Sequence, residues 1–316
     1  KIMRNFFFFI SFLLVFNSSA QEELKICSFN IQFLGHFKNK ENKILASSLK
    51  AYDIVVIQEM VAPPTNGEYS DNTPYKTDLE SAGFTREMQL NGFKYWLSTD
   101  DTGPTKNQTA SAASEWWIIF YKPNKVKADS SRFYGFISSP LSGNLSFERV
   151  PFAFPFQSLN EKTTFTLIPV HLKPGSRKED QLRRQDELNN IFNWIASQKE
   201  KNKDFIVLGD FNIYKKEEFI HFEKDKIYSL NKECLPTNTK LYETLKKGKP
   251  YDHVFYNNFS KEDIKENTFK IIDIRKELIK MNSSNVVMPY DHKSFRTRYS
   301  DHLPISFDLL LNKDSD

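Results

Sequence analysis

Apolar and polar positions follow two regimes along this chain. Short branched or aromatic runs recur from one end to the other: Leu24–Phe29, Ile54–Ile57, Phe93–Leu97, Trp116–Tyr121, Phe133–Phe136, Phe152–Phe156, Thr164–Val170, Phe205–Leu208, Tyr251–Tyr256, Ile264–Ile274 and Leu303–Leu311. Runs of this length, bounded by turn-forming residues, predict buried strands. Pro151 and Pro155 place the Phe152–Phe156 run at a sheet edge, because proline cannot donate to a ladder. Trp116 and Trp117 are neighbours on a strand and face opposite ways, so at least one belongs in the core. Helical spacing appears at Glu41–Leu49, at Thr77–Ala82 and most clearly at Lys178–Ser197. There Leu182, Leu188, Ile191, Phe192 and Ile195 are apolar and charge fills the gaps. Pro63–Pro74, Asp100–Ala113 and Asn282–Arg298 read as loops, and Lys215–Thr239 is charged and irregular. Strands over the whole length with few helices predict two packed sheets flanked by helices.

Composition fits this picture. Of the 316 residues 39% are hydrophobic and 27% charged, which is globular and ample for a core. A net charge of +4 is compatible with a nucleic-acid partner without requiring one. Cys27 and Cys234 match neither zinc spacing nor a disulfide framework, and Cys27, inside a strand pattern, is expected as a buried free thiol. The N-terminus changes the picture more. Lys1 and Arg4 precede the apolar run Phe6–Phe16, and Ser18 and Ala20 supply small residues before a cleavage point. That layout predicts a signal peptide over residues 1–20 and a single domain over residues 21–316. The apolar run is shorter than the roughly 20 residues of a membrane-spanning helix. The expected mature protein is a secreted or periplasmic monomer with no stable membrane association.

The chemistry sits where strands meet loops. Ile206–Asn212 reads Ile-Val-Leu-Gly-Asp-Phe-Asn: a buried strand, a glycine for a tight turn, then an acid and an amide at a sheet edge where α/β proteins place their sites. Asn30, Glu59, His171, Asp252 and His302 stand at similar junctions. Each alone fits a cap, a turn or a hydrogen-bonded structural residue. Their shared position points to one rim where they converge.

In order, the chain carries Ser28-Phe29-Asn30-Ile31-Gln32, Gln58-Glu59, Glu115, Val170-His171-Leu172-Lys173, Gly209-Asp210-Phe211-Asn212, Tyr251-Asp252-His253 and Ser300-Asp301-His302-Leu303-Pro304. This ordered set resembles the endonuclease/exonuclease/phosphatase superfamily, which includes pancreatic-type deoxyribonuclease. The resemblance spans nearly the whole mature chain. It implies a four-layer α/β sandwich, with two mixed β-sheets packed face to face and flanked by helices, and the site at one end of the sheets. It implies phosphodiester hydrolysis by in-line attack of an activated water. Glu59 is the first metal ligand expected, with Asn30 and Asp301 contributing. Oxygen ligands suit Mg²⁺, with Mn²⁺ or Ca²⁺ as alternatives.

The resemblance also pairs Glu115 with His171 and Asp252 with His302, gives Asp210 the attacking water and gives Asn212 a phosphate oxygen. It leaves open which group is base and which is acid. Arg149 sits where deoxyribonuclease-type members place an arginine on substrate phosphate, and equally reads as a surface arginine. Lys293, Arg296 and Arg298 read either as holders of flanking phosphates or as a solvated basic loop. Arg183 and Arg184 read as surface or structural. One departure is Ala113, where those nucleases carry a DNA-contacting tyrosine. The leading expectation is a metal-dependent endonuclease acting on DNA, with RNA as a further substrate. The alternatives are a sphingomyelinase- or inositol-phosphatase-like phosphoesterase, for which Phe152–Phe156 is the nearest aromatic membrane segment, and a noncatalytic binding module.

Overall fold

A computed structural model of the protein describes residues 22–311 apart from 104–113, 142, 161–162, 199–203, 241–247, 259 and 282–290. The expected leader, Ala113 and the first part of the Asn282–Arg298 segment lie outside the described residues.

The elements in chain order are β1 (Glu23–Leu34), α1 (Asn42–Leu49), β2 (Ile54–Met60), β3 (Gly67–Glu68), β4 (Pro74–Tyr75), α2 (Leu79–Leu90), β5 (Lys94–Asp101) and β6 (Trp116–Tyr121). There follow β7 (Val126–Ala128), β8 (Gly135–Phe136), β9 (Phe152–Ser158), β10 (Thr164–His171), α3 (Lys178–Ser197) and β11 (Phe205–Asp210). The chain continues through β12 (Ile227–Ser229), β13 (Asp252–Asn257), β14 (Ile264–Ile271), α4 (Ile274–Met281), α5 (His292–Arg298) and β15 (Ile305–Leu310). One sheet runs β14-β15-β1-β2-β6-β5, and the other runs β12-β13-β11-β10-β9-β7 with β8 also on β9.

Each sheet is built on one parallel pair, β1 with β2 and β10 with β11, and its other neighbours are antiparallel. The register aligns Asn30 with Gln58 and His171 with Asp210, so parallel strands deliver these residues to one edge. Antiparallel neighbours start where those strands end. Asp252, first residue of β13, is therefore opposite Asp210, Glu115 directly precedes β6, and His302 lies just before β15. Topology alone brings the chemistry-bearing residues to one end of the sandwich.

Three apolar layers separate four layers of structure. Trp117, Phe152, Phe154, Phe156, Leu208 and Phe307 fill the space between the sheets. Trp116, Phe84, Leu45 and Leu278 join the first sheet to its helices, and Leu188, Ile191 and Phe255 join the second to α3. Both tryptophans are thus core residues on opposite faces of β6. Cys27 is a buried free thiol, as expected, and burial pushes its pKa up.

Four expectations need correction. β9 is interior to its sheet, paired with β10 on one side and with β7 and β8 on the other. Pro155 falls between the stretches paired to β7 and β8, so its missing N–H leaves no ladder bond unmade. The Phe152–Phe156 rings are buried between the sheets and present no aromatic surface to a membrane. The helix at Thr77–Ala82 begins later and runs to Leu90, with the Asp78 carboxylate accepting from the amides of Glu80 and Ser81. The described part of the basic loop is a helix, α5, capped by Asp291.

Gly209 allows the last turn of β11. Its φ is +142°, and a Cβ there would stand 2.2 Å from the Val170 carbonyl oxygen on β10. Gly209→Ala is expected to destabilise the protein by about 2 kcal/mol or more in urea unfolding. A change within about 0.5 kcal/mol, the scale of a neutral surface substitution, would contradict this packing.

Candidate active site

The site is built around the carboxylate of Asp210, which is 1% exposed. Its Oδ2 lies 3.5 Å from His171 Nε2 and 3.5 Å from His302 Nε2. Asn30 Nδ2 donates to the same oxygen at 3.0 Å and to Glu59 Oε1 at 2.8 Å. Asp210 Oδ1 accepts the amide of Asn212 at 2.8 Å, closing a local turn with Asn212 at φ +51°.

Each imidazole has its own carboxylate behind it. His302 Nδ1 is 2.8 Å from Asp252 Oδ2, and His171 Nδ1 is 3.0 Å from Glu115 Oε1. Burial opposes the charged form of His302, but Asp252 and Asp210 outweigh it and raise its pKa well above the usual value. At His171 burial and Arg149 oppose the imidazolium, Glu115 and Asp210 favour it, and the net shift is upward. For Glu115, burial favours the neutral acid, yet His171 and Arg149 bring the carboxyl below its ordinary value. His253, next to Asp252 in sequence, plays no part in this set. It is fully buried between Ser229 Oγ and the Pro250 carbonyl, and burial lowers its pKa to about 3.

Glu59 reaches the site through distorted backbone. It has φ +61° beside bulges on both sides of β2. Its amide donates to Glu115 Oε2 at 2.7 Å, and its own Oε2 accepts the Phe33 amide at 3.0 Å. Burial raises its pKa, and the neighbouring charges of Asp301 and Glu115 push the same way against His171.

The structure therefore brings together Asn30, Glu59, Glu115, His171, Asp210, Asn212, Asp252 and His302. The remaining candidates are placed differently. Arg149 is 8% exposed, with Nε 2.9 Å from Glu115 Oε1. It forms an ion triad with Glu115 and His171 whose N–H directions lie off the hydrogen-bond axis, so charge holds it. Asp301 sits beside the site and pairs with Arg296 at 3.1 Å. Arg296 Nε also contacts Gln32 Oε1 at 3.4 Å. Arg298 pairs with Glu41, and Lys293 is exposed on the first turn of α5.

Residues outside the sequence candidates hold these in place. Ser300 Oγ donates to the Asn30 carbonyl at 2.6 Å and accepts the His302 amide, and Thr237 Oγ1 accepts the Asp252 amide. Lys40 is buried with Nζ on the Tyr299 carbonyl, and desolvation lowers its pKa to about 7. On α3, Arg184 is fully buried on Glu218 and donates to the carbonyls of Lys173 and Gly175. One turn on, Glu187 accepts the amides of Glu148 at 2.5 Å and Lys173 at 2.9 Å. Together they fix the loop after His171 and the segment carrying Arg149. The charged i, i+3 pair on α3 gave no signal of this, because nothing in the sequence marks which charged helix positions face inward.

Residues 27–302 match the Endonuclease/Exonuclease/phosphatase family. The chain belongs to that family. Among curated proteins it is similar to Deoxyribonuclease-1-like 1 of Cricetulus griseus, 26% identical over 210 residues, 64% of this chain and 59% of that one. It thus spans less than two thirds of that relative's length. It is 22% identical over 310 residues to a Deoxyribonuclease of Thioalkalivibrio sp. (strain K90mix), covering 96% of this chain and 76% of that one. Among solved structures, the mannosyl-6-phosphatase of Bacteroides thetaiotaomicron VPI-5482 superposes with a TM-score of 0.58 at 14% identity, covering 91% of this chain and 99% of that one. A humanized D. rerio TDP2 gives 0.54 at 14% identity, covering 91% and 98%. These structural likenesses establish the fold, a sandwich of two mixed sheets flanked by helices.

Members of this family are in general metal-dependent, and the residues present fit a metal. Ligand atoms of Glu59, His171 and Asp210 lie within 4.8 Å of one another, as do those of Asp210, Asp252 and His302. Among the described residues Asp301 is in neither group. The upward push on buried Glu59 is what a carboxylate short of positive charge shows. Asn30 as placed turns its amide hydrogens toward both carboxylates, and its Oδ1 accepts the Gln32 amide at 2.9 Å. To ligate a cation through Oδ1 it would turn about its Cβ–Cγ bond, giving up the Gln32 contact.

Burial pushes the Glu187 pKa up to about 7 from 4.5. A raised folded pKa favours the fold below pH 4.5 and loses that contribution as pH rises through about 7. The stability of wild type relative to Glu187→Gln is expected to fall across that window, by on the order of 3 kcal/mol. Paired unfolding curves from pH 4 to 8 check it; a pH-independent difference would contradict the assignment.

Proposed function

We propose that the protein is a divalent-metal-dependent endonuclease that hydrolyses phosphodiester bonds of DNA, with RNA as a further substrate. The observation that carries this is the single Asp210 oxygen facing two imidazoles, each backed by its own carboxylate. The deoxyribonuclease names of the relatives support the substrate class.

Glu59 and Asp210, with Asn30 after rotation of its amide, would hold a Mg²⁺ or Mn²⁺ ion. When bound, that ion supplies positive charge to the nonbridging phosphate oxygens and the departing alkoxide. The chain's own groups do the rest. Asp210 accepts a hydrogen bond from the attacking water and aims it. His171 and His302, held by Glu115 and Asp252 through Nδ1, present Nε2 on either side of that carboxylate. Asp210 takes the proton of the water as the new O–P bond forms; one imidazolium donates to a nonbridging phosphate oxygen, and the other gives its proton to the leaving oxygen as that oxygen's bond to phosphorus breaks. Asn212 Nδ2 gives one hydrogen to the Leu172 carbonyl at 3.1 Å, which fixes the amide plane and leaves its second hydrogen for a phosphate oxygen. Arg149 acts through Glu115: it keeps that carboxylate ionised and so keeps His171 in position. Arg296 stands where a flanking phosphate would pass, and Lys293 adds long-range attraction. The leader pattern of residues 1–20 supports a secreted or periplasmic location.

Supercoiled plasmid incubated with the protein and Mg²⁺, Mn²⁺ or Ca²⁺ is expected to be nicked. Hydrolysis of sugar phosphates or sphingomyelin with an intact plasmid would overturn the substrate class. His171→Ala and His302→Ala are each expected to lower turnover by about 10²-fold or more. Near-normal turnover in either would remove its role.

A further inference from the structure

The flank of the site beside Glu59 carries a group of rings that the hydrolytic chemistry does not use. Phe33 lies edge-on to Phe37, with centroids 5.5 Å apart and planes at 71°, and to His36, at 6.1 Å and 80°. His36 and Phe37 are tilted at 51° with centroids 5.8 Å apart. None of the three is stacked flat on another. His36 is exposed, and Phe33 and Phe37 are half-buried.

Their position is fixed relative to the reaction centre. The Phe33 amide is bonded to Glu59 Oε2 at 3.0 Å. The chain makes this bond with two successive non-glycine residues in the left-handed region, Gln32 at φ +54° and Phe33 at +51°. That conformation is costly for a bulky side chain and persists where the surroundings enforce it. Gly35 completes the bend at φ +100°, with Ala62 too near to admit a Cβ. The carbonyl of Phe33 accepts the amides of His36 and Phe37, so the three rings leave one tight turn. Turn and carboxylate together place the half-buried Phe33 one hydrogen bond from a metal-site acid, with His36 and Phe37 beside it.

The opposite flank differs. Tyr251 packs on His302 at 5.5 Å and on Tyr214 at 5.4 Å, and Lys249 Nζ lies over the Tyr214 ring at 4.7 Å. Those rings face each other and Lys249, whereas among Phe33, His36 and Phe37 a cation stands over Phe37 alone, Lys40 Nζ at 5.5 Å from its centroid.

We propose that Phe33, His36 and Phe37 form a stacking ledge for one unpaired nucleobase beside the bond being cut. The proposal rests on the nuclease reading and narrows it to substrates with unstacked bases: single strands, loops and frayed ends. A nucleobase suits the ledge because it is flat and uncharged, and His36 adds a polar edge. Base–aromatic stacking is tolerant of sequence and blind to the sugar, so DNA and RNA strands would be served alike. In a duplex the faces of each base are covered by its neighbours, and the ledge gains nothing.

The test compares kcat/KM on a short thymidine strand, on the same strand with a base-less sugar beside the cut, and on a duplex. Wild type is expected to favour the base-bearing strand over the base-less one by about tenfold, and to favour it over the duplex. In Phe37→Leu combined with His36→Ala the first ratio is expected to fall toward unity, and in Phe37→Tyr it is expected to be retained. A wild-type ratio of unity, a preference for duplex, or a ratio unchanged in the double variant would each overturn the ledge while leaving the nuclease reading standing. Hydrolysis of none of the three would overturn the nuclease reading and the ledge with it.

Discussion

A buried carboxylate that faces two imidazoles sets the terms for the rest of this structure. Asp210 is taken out of water, and its Oδ2 meets Asn30, His171 and His302 at 3.0 to 3.5 Å. An ion in such a place persists only when hydrogen bonds and opposite charge replace the lost hydration. Every neighbour that does so has its own requirement. His302 needs Asp252, His171 needs Glu115, and Glu115 needs Arg149. The constraint passes outward until it reaches backbone.

The sandwich meets that requirement by symmetry of construction. Two parallel pairs end at the same edge, one per sheet, and their antiparallel neighbours begin there. Bulges at Glu59 and the left-handed Asn212 turn side chains that regular strands would point elsewhere. Behind the edge, three apolar layers pack the strands that hold these groups, far apart in sequence, against one another. The Trp117 indole, donating to the Val150 carbonyl at 2.8 Å, ties the first sheet to the segment that carries Arg149. Arg184 and Glu187 tie that segment and the His171 loop to α3. Side chains of ordinary helix composition thus support the site from behind.

Much of this was legible in the sequence, and for a physical reason. A strand buried on both faces is written as a continuous apolar run, so the residue that ends it stands out. Asn30, Glu59, His171 and Asp210 were visible in that way, and the runs at β2, β6, β10 and β11 marked both sheets. What was hidden depends on pairing in space. The surface reading of Arg149 failed because nothing local shows that Glu115 awaits it. The interior place of β9 was masked by Pro155, which falls in the gap between the stretches of β9 paired to β7 and to β8. The α5 helix lay in a polar stretch with a weak period, and its Asp291 cap became telling only with the helix in view. The aromatic turn at Phe33–Phe37 carried no signal, since a left-handed phenylalanine follows from the needs of Glu59 and not from propensity.

Central to the proposed chemistry is a divalent cation seated on the negative charge gathered at Glu59 and Asp210. Calorimetric titration of Mn²⁺ into wild type, Glu59→Gln and Asp210→Asn measures this directly, because each variant keeps the shape and removes one charge. The account predicts binding to wild type that weakens at least tenfold in each variant. Equal affinity in all three, with folding intact, would contradict it.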